Sequence, residues 1–349
     1  ISTQRMQDAL SAGKIVIAAG FQGIDEAFNI TTLGRGGSDT TAVALAAVLG
    51  ADSCEIYTDV DGIYTTDPRI VPEARRTRRI CYDEMLELSS AGAGVMHNRA
   101  IEFAKRFSVP VHVRSSFSDT PGTMITSEPE SADAPVCGAA KVRNEARVTV
   151  LGVPDRPGAA LTVFSEIAAK NIAMDMIVQN VADDGHADIS FTVFRDDLPA
   201  TLKAVEDSTR KLEAEGYSHD DDLSKISVVG AGMATQTGVA EKMFRALAEK
   251  GINILMITTS EIKISVLVAR TQAQEALRTV HEVFQLDVQP AESNAEVHVA
   301  TEPHEAMDPT ELVAKMERME ELIIEGITLD QLQSLVTVVG LPDTPGLAA

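Results

Sequence analysis

A repeated order of elements constrains this chain more than any other feature. Apolar periodicity predicts a strand over 147–153, a helix over 158–170, strands over 174–181 and 187–194, and a helix over 198–215. The same strand, helix, strand, strand, helix order returns at 225–229, 239–250, 255–259, 263–269 and 272–284. A third copy is announced by sequence alone: Val148-Thr149-Val150-Leu151-Gly152-Val153-Pro154-Asp155-Arg156-Pro157-Gly158 comes back, with most positions unchanged, as Val336-Thr337-Val338-Val339-Gly340-Leu341-Pro342-Asp343-Thr344-Pro345-Gly346. Much of the chain is therefore built from small α/β modules rather than one large core, and neighbouring modules of this kind can exchange terminal strands.

The first part reads differently. A buried strand is expected over 14–19 after a short helix, a turn at Gly20-Phe21-Gln22-Gly23, and an alanine-rich helix over 39–49. A strand over 53–57, helices over 83–88 and 95–107, and a strand over 109–114 follow. Such alternation predicts a largely parallel sheet covered by helices. Periodicity fades over 118–144, where Ser127-Glu128-Pro129-Glu130-Ser131 marks a connection. The expected division is a first domain over 1–126, a linker over 127–144, modules over 145–222 and 223–290, a linker and acidic helix over 291–333, and the start of a third module over 334–349. Ile1 and Ala349 both read as cuts.

Charge and cysteine content exclude several function classes. Thirty Lys and Arg against 52 Asp and Glu give a net charge of −22, which repels a nucleic-acid backbone or an anionic membrane. Cys54, Cys81 and Cys137 are widely spaced, so neither a disulfide framework nor a zinc site is expected, and a reducing cytoplasm fits. No apolar run reaches the ~20 residues a spanning helix needs.

Two segments carry chemistry. In Thr31-Thr32-Leu33-Gly34-Arg35-Gly36-Gly37-Ser38-Asp39-Thr40, placed between a strand and a helix, the amides of Gly36, Gly37 and Ser38 can face an anion at the helix N-terminus. Arg35 can clamp a carboxylate with two parallel hydrogen bonds. Asp39 can hold an ammonium group, order the loop, or simply cap the helix. The second segment, Tyr57-Thr58-Asp59-Val60-Asp61-Gly62-Ile63-Tyr64-Thr65-Thr66-Asp67-Pro68-Arg69, gathers three carboxylates and an arginine as it leaves a strand. It suits a nucleotide, with Thr58 and Asp59 toward sugar and base, Tyr64 against the nucleotide and Arg69 toward phosphate, or else it is an Asp/Gly/Pro-rich surface loop.

At these segments, and at Gly20-Phe21-Gln22-Gly23 and Val111-His112-Val113-Arg114-Ser115-Ser116, the sequence resembles the aspartokinases of the amino-acid kinase family. The resemblance implies the C-terminal part of a three-layer αβα kinase domain followed by tandem ferredoxin-like (βαββαβ) ACT modules. It implies ATP-dependent phosphorylation of L-aspartate to 4-phospho-L-aspartate, with Mg²⁺ carried by the nucleotide and no resident metal. Carried over, Arg35, Gly36, Gly37, Ser38 and Asp39 form the aspartate site, with Arg35 and Asp39 the catalytic pair. Thr58, Asp59, Tyr64, Thr65, Asp67, Pro68 and Arg69 form the ATP site. Family members begin with a phosphate-contacting Lys-Phe-Gly-Gly-Thr-Ser segment that this chain does not contain, so activity is expected to need that segment; some also carry a lysine where Gly94 stands here.

Leu151 to Gly158 resembles the strand-to-helix turn of ACT domains, where amides at a helix start receive a ligand carboxylate. Similar aspartokinases bind feedback amino acids, lysine and threonine, between paired modules of two chains, which implies a homo-oligomer. The implied effector contacts are Asp155, Ala160, Met174, Asp175 and Gln179 in one module and Val239, Ala240, Asn253, Ile254, Ser260 and Glu261 in the next. Val181 is expected to continue the core side of its strand. His97, His112, His186 and His281 are read as solvated or core histidines. His219-Asp220-Asp221-Asp222 is read as a solvated turn rather than a metal site, and Met316 and Met319 as the apolar stripe of a helix. The competing readings are a non-catalytic effector-binding subunit and a kinase acting on glutamate or N-acetylglutamate.

Overall fold

The computed structural model describes residues 4–290, except 26, 93 and 183. The third module and the 291–333 segment, with Met316 and Met319, lie outside the described residues.

After α1 (Gln4–Ser11), a short antiparallel pair β1 (Gln22–Ile24) and β2 (Ile30–Thr32) leads into α2 (Gly37–Leu49). Helix α2 buries Val43, Ala44, Ala46 and Val48 and stops at Gly50, whose positive φ lets its N–H reach back to the Ala46 and Ala47 carbonyls. Then come β3 (Cys54–Thr58), β4 (Arg79–Cys81), α3 (Tyr82–Ser90), α4 (Asn98–Arg106), β5 (Val111–Ser115) and β6 (Thr123–Thr126). The sheet order is β3-β5-β6-β4, with β3 and β5 parallel and β5 and β6 antiparallel. Strands β4 and β6 are also parallel, so two of the three pairings follow the largely parallel sheet expected from the sequence and β5–β6 departs from it. The segment expected as a buried strand over 14–19 is not a strand: it pairs with no described strand, and Ile15 and Ile17 are 93% and 95% exposed. Apolar content predicts burial only where another surface is available to pack against.

The rest is one six-stranded antiparallel sheet, order β11-β12-β10-β7-β9-β8. Its strands are β7 (Gly138–Pro154), β8 (Met174–Val181), β9 (His186–Phe194), β10 (Gly216–Val229), β11 (Met256–Thr259) and β12 (Lys263–Ala269). Helices α5 (Ala159–Ala168), α6 (Leu198–Leu212), α7 (Val239–Glu249) and α8 (Ala273–Val283) pack on it. The expected linker over 127–144 is corrected from 138 onward. Residues 138–142 pair with 225–229 and Ala139 enters the core of the second module, while 147–151 pair with 216–220 beside the core of the first. The expected turn at His219-Asp220-Asp221-Asp222 is likewise strand, with register shifts between Asp220 and Lys225. The modules share their two long strands. Val181 is exposed rather than in the core.

At the crossing between modules, Lys225 is buried with its Nζ 3.4 Å from the buried Glu145 and bonded to Asp175. Burial pushes the Glu145 carboxyl above its usual range, against the pull of Lys225. Lys225→Met leaves Glu145 buried and unpaired, so near pH 8 it is expected to destabilise the chain by about 3–5 kcal/mol. The loss should shrink toward pH 5 as Glu145 takes up a proton, and adding Glu145→Gln should recover much of it. Urea unfolding at the two pH values checks this.

Candidate functional site

The Arg35–Asp39 segment sits on an unblocked helix start. Gly36 is the N-cap of α2 at φ 76°, with no side-chain cap; the Gly37 N–H is already given to the Gly34 carbonyl at 3.0 Å, so the amides that follow it are the ones an anion can reach. A Cβ on Gly36 would lie 2.3 Å from the Cβ of His97, whose ring packs on this turn. Asp39 is not the cap but stands in the first turn, half-buried. Burial pushes its carboxyl above the usual range, while the nearby ring and backbone N–H of His97 pull it back. Arg35 and Ser38 are exposed.

His97 is the residue that sequence reasoning passed over. It begins α4, and its Nδ1 accepts the Arg99 N–H at 3.3 Å. It lies 61 positions from Gly36 and 58 from Asp39 in the chain, and nothing in its local pattern signals the contact.

Thr58 ends β3, and its hydroxyl donates to Asp59 Oδ1 at 3.1 Å. The end of β5 lies alongside, with the Ser116 N–H donating to the Thr58 carbonyl at 2.8 Å, so Thr58 and Asp59 sit at the carboxyl ends of two parallel strands, where α/β sheets bind ligands. The Tyr64 hydroxyl donates to Asp61 at 3.0 Å. Beyond Pro68, Arg69 grips Asp67 in a fork, Nε to Oδ1 at 2.9 Å and Nη2 to Oδ2 at 2.8 Å, while remaining 87% exposed. That fork holds the Asp67 carboxyl below its usual range and presets an arginine at the surface.

Thr65 is the exception in the nucleotide set. It is fully buried, its hydroxyl lies 3.1 Å from His281 Nε2 on α8, and its backbone bonds Arg75 and Ala139. It joins the first domain to the second module, with its hydroxyl and backbone groups already engaged. Ile70 and Val71, just after Arg69, pack into that module's core. Gly94 is exposed with open space around its Cα. The thiols of Cys54 and Cys81 are pushed up by burial to about 11 and about 12, which keeps them protonated and unreactive.

The modules repeat one arrangement. Gly158 and Gly238 cap α5 and α7 at φ 91° and 83° without side-chain caps, placing Ala160 and Ala240 in matching first turns. In each module the loop leaving the first strand bonds the following hairpin: the Asp155 N–H reaches the Gly185 carbonyl at 2.9 Å, and the Gly230 N–H reaches the Ile262 carbonyl at 3.0 Å. Ser260 and Glu261 form the second hairpin's tip, where the Ser260 N–H donates to the Lys263 carbonyl. Met174, Asp175 and Gln179 lie on the outer strand β8, and Asn253 and Ile254 just precede β11. Asp175 is already engaged by Lys225 and is not a free carboxylate.

The amino acid kinase family profile matches residues 1–115, and ACT domain profiles match 147–208 and 226–284. An aspartate kinase of Stutzerimonas stutzeri is 50% identical over 298 residues, covering 85% of this chain and 72% of that protein. The structure of Clostridium acetobutylicum aspartate kinase matches with a TM-score of 0.74 at 26% identity, over 81% of this chain and 66% of that one. E. coli aspartokinase III is similar with a TM-score of 0.64 in two crystal structures. The one with aspartate and ADP is 29% identical over 78% of this chain and 61% of that one. The one with lysine and aspartate is 28% identical over 80% and 62%. The chain thus spans about two thirds of the length of the relatives it matches.

Gly36→Ala forces a side chain into both a positive φ and the His97 ring. It should cost about 1–3 kcal/mol and quicken amide exchange over 33–41, read by hydrogen exchange. Burial lowers the His281 pKa from its ordinary 6.5, so the unfolded chain binds more protons than the folded one just below that pH. The stability His281 contributes as a neutral ring is therefore lost as pH falls through about 6.5, and His281→Phe should flatten that part of the stability-pH curve.

Proposed function

This chain belongs to the aspartate kinases, and on that premise we propose that it serves ATP-dependent phosphorylation of L-aspartate under feedback from lysine or threonine bound to its ACT modules. The observation that carries the reading is the uncapped N-terminus of α2 beside Arg35 and the half-buried Asp39. A dicarboxylate with an ammonium group matches those three features: helix amides and a guanidinium for carboxylates, and an acidic side chain for the amine.

The reaction joins a side-chain carboxylate oxygen of aspartate to the γ-phosphorus of ATP and breaks the γ-phosphorus bond to the bridging oxygen, releasing ADP. Arg35 and the Ser38 amide, carried by the Gly36-Gly37 turn, hold the acceptor carboxylate. Thr58, Asp59 and Tyr64 orient the nucleotide, and Arg69, fixed by Asp67, faces its phosphates. Mg²⁺ bound to the nucleotide supplies the remaining charge neutralisation. Rate acceleration by these residues comes from positioning and fixed positive charge, with no covalent enzyme intermediate. Support for nucleotide and aspartate as ligands comes from the E. coli aspartokinase III structure with aspartate and ADP, and for lysine from the one with lysine and aspartate.

For regulation, the uncapped starts of α5 and α7 receive effector carboxylates. Asp155, Gln179, Asn253, Ser260 and Glu261 supply polar contacts, with Ala160, Met174, Val239, Ala240 and Ile254 shaping the walls. Assembly of two copies through the modules completes these sites, so a homo-oligomer working in the cytoplasm is part of the proposal. Among the described residues no helix is long and apolar enough to cross a membrane.

Arg35→Lys keeps the charge but loses the fork, and should raise the KM for aspartate about 10- to 100-fold while leaving that for ATP nearly unchanged. An ADP-release assay on the intact enzyme reads both; equal effects on the two substrates would contradict the assignment. Calorimetric titration with lysine and threonine should give saturable binding that Asp155→Ala or Ser260→Ala weakens. A folded chain that binds neither amino acid would remove the regulatory part.

A further inference from the structure

Helix α3 of the kinase domain holds the second ACT module by two acidic side chains one turn apart. Glu84 is buried, and its carboxylate accepts two backbone N–H groups from two domains: Cys81 at the start of its own helix, 3.1 Å to Oε2, and Ala231 of the second module, 3.0 Å to Oε1. Glu87 Oε2 lies 2.7 Å from Lys263 Nζ, at the first residue of β12. Both grips fall on the same short stretch of the module. Ala231 follows Gly230, which is bonded to Ile262, and Lys263 closes the hairpin through Ser260.

The far end of α3 leads to the substrate loop. Ser90, its last residue, accepts a hydrogen bond from Asn98 Nδ2 at 2.9 Å, next to His97. His97 in turn packs on Gly36 and lies beside Asp39. An unbroken series of contacts thus runs from the hairpin tip of the second module, through α3, to the proposed aspartate loop.

Resting on the reading of the modules given above, we propose that Glu84 and Glu87 are positioning residues: they set the placement of α3, and through His97 that of the Arg35–Asp39 loop, according to whether the second module holds an effector. The chemistry supports two discrete placements. A carboxylate buried between amides of two domains is satisfied in one relative orientation and costly to leave unpaired in others, so rotation of the module breaks the contact outright. The Glu87–Lys263 pair, only partly buried, tunes the balance between the placements.

The test is a double-mutant cycle in the intact enzyme with Glu87→Gln, Lys263→Met and both, plus Lys263→Arg as the conservative variant. For each, the affinity for lysine and threonine is measured by calorimetry, and the KM for aspartate is measured with and without saturating effector. The ratio of the two KM values is the coupling factor, about 5- to 150-fold in allosteric systems. Both single substitutions should shrink this factor about two- to fivefold, with little change in effector affinity, kcat or melting temperature. The double variant should lose no more than either single one, and Lys263→Arg should keep the original factor. An unchanged coupling factor in both single variants, with effector still bound, would overturn the proposal. So would additive losses in the double variant. If neither amino acid binds the unsubstituted enzyme, the reading of the modules fails first and this inference with it.

Discussion

Both described modules depend on the antiparallel pairing of β7 with β10. Gly138 faces Val229 at one end and Leu151 faces Gly216 at the other, so one ladder traverses both modules. A slip of one residue would turn the buried faces of both modules outward together. The register is held where the modules meet, by Lys225 between Glu145 and Asp175 and by the irregular pairing next to it. The outer strands close over the same point, with Met176 and Met256 packed on Leu223 and Leu267. Neither module can therefore tilt alone. Ala140 and Val229, from the second module's end of that ladder, pack into the kinase core, so the constraint reaches the catalytic domain.

One local solution serves three places in this chain. Helices α2, α5 and α7 each begin at a glycine with positive φ and no capping side chain. Ordinary helices cover their first amides with Ser, Thr, Asp or Asn. Leaving them open costs some helix stability but keeps a positive helix end available to a carboxylate. The repeated use suits a protein whose proposed substrate and effectors are all amino acids. Under the proposed assignment, discrimination falls to the neighbouring side chains: Arg35 and Asp39 in one place, Asp155 with Gln179 in another, Ser260 with Glu261 in the third.

The sequence made the elements legible wherever their own period sets the structure. Strands 174–181 and 263–269 were placed to the residue, and the helices of both modules nearly so. What it concealed depends on partners far away in the chain. Residues 219–222 carry three aspartates and look like a turn, yet they are strand because β7 runs beside them. Residues 138–144 look like the tail of a Pro- and Ser-containing linker, yet they extend β7 into the second module. The candidate substrate loop was legible because glycines and arginine together make poor core. The burial of Thr65 was not legible, because its polar neighbours suggest a surface while its partner, His281, is 216 positions away.

The contacts between the kinase domain and the second module combine two kinds of interaction that bear on the proposed coupling. Ile70 and Val71 contribute apolar burial, which is non-directional and tolerates sliding. Glu84 to Ala231, Thr65 to His281, and Arg278 to the Ile70 carbonyl are directional, and fail together once the surfaces rotate. A purely apolar interface would grade smoothly between orientations, and a purely polar one would gain little from association. Combined, they keep the domains together in any orientation while making one orientation energetically distinct. That is the property a regulatory module needs if ligand binding is to be felt at a loop it never touches.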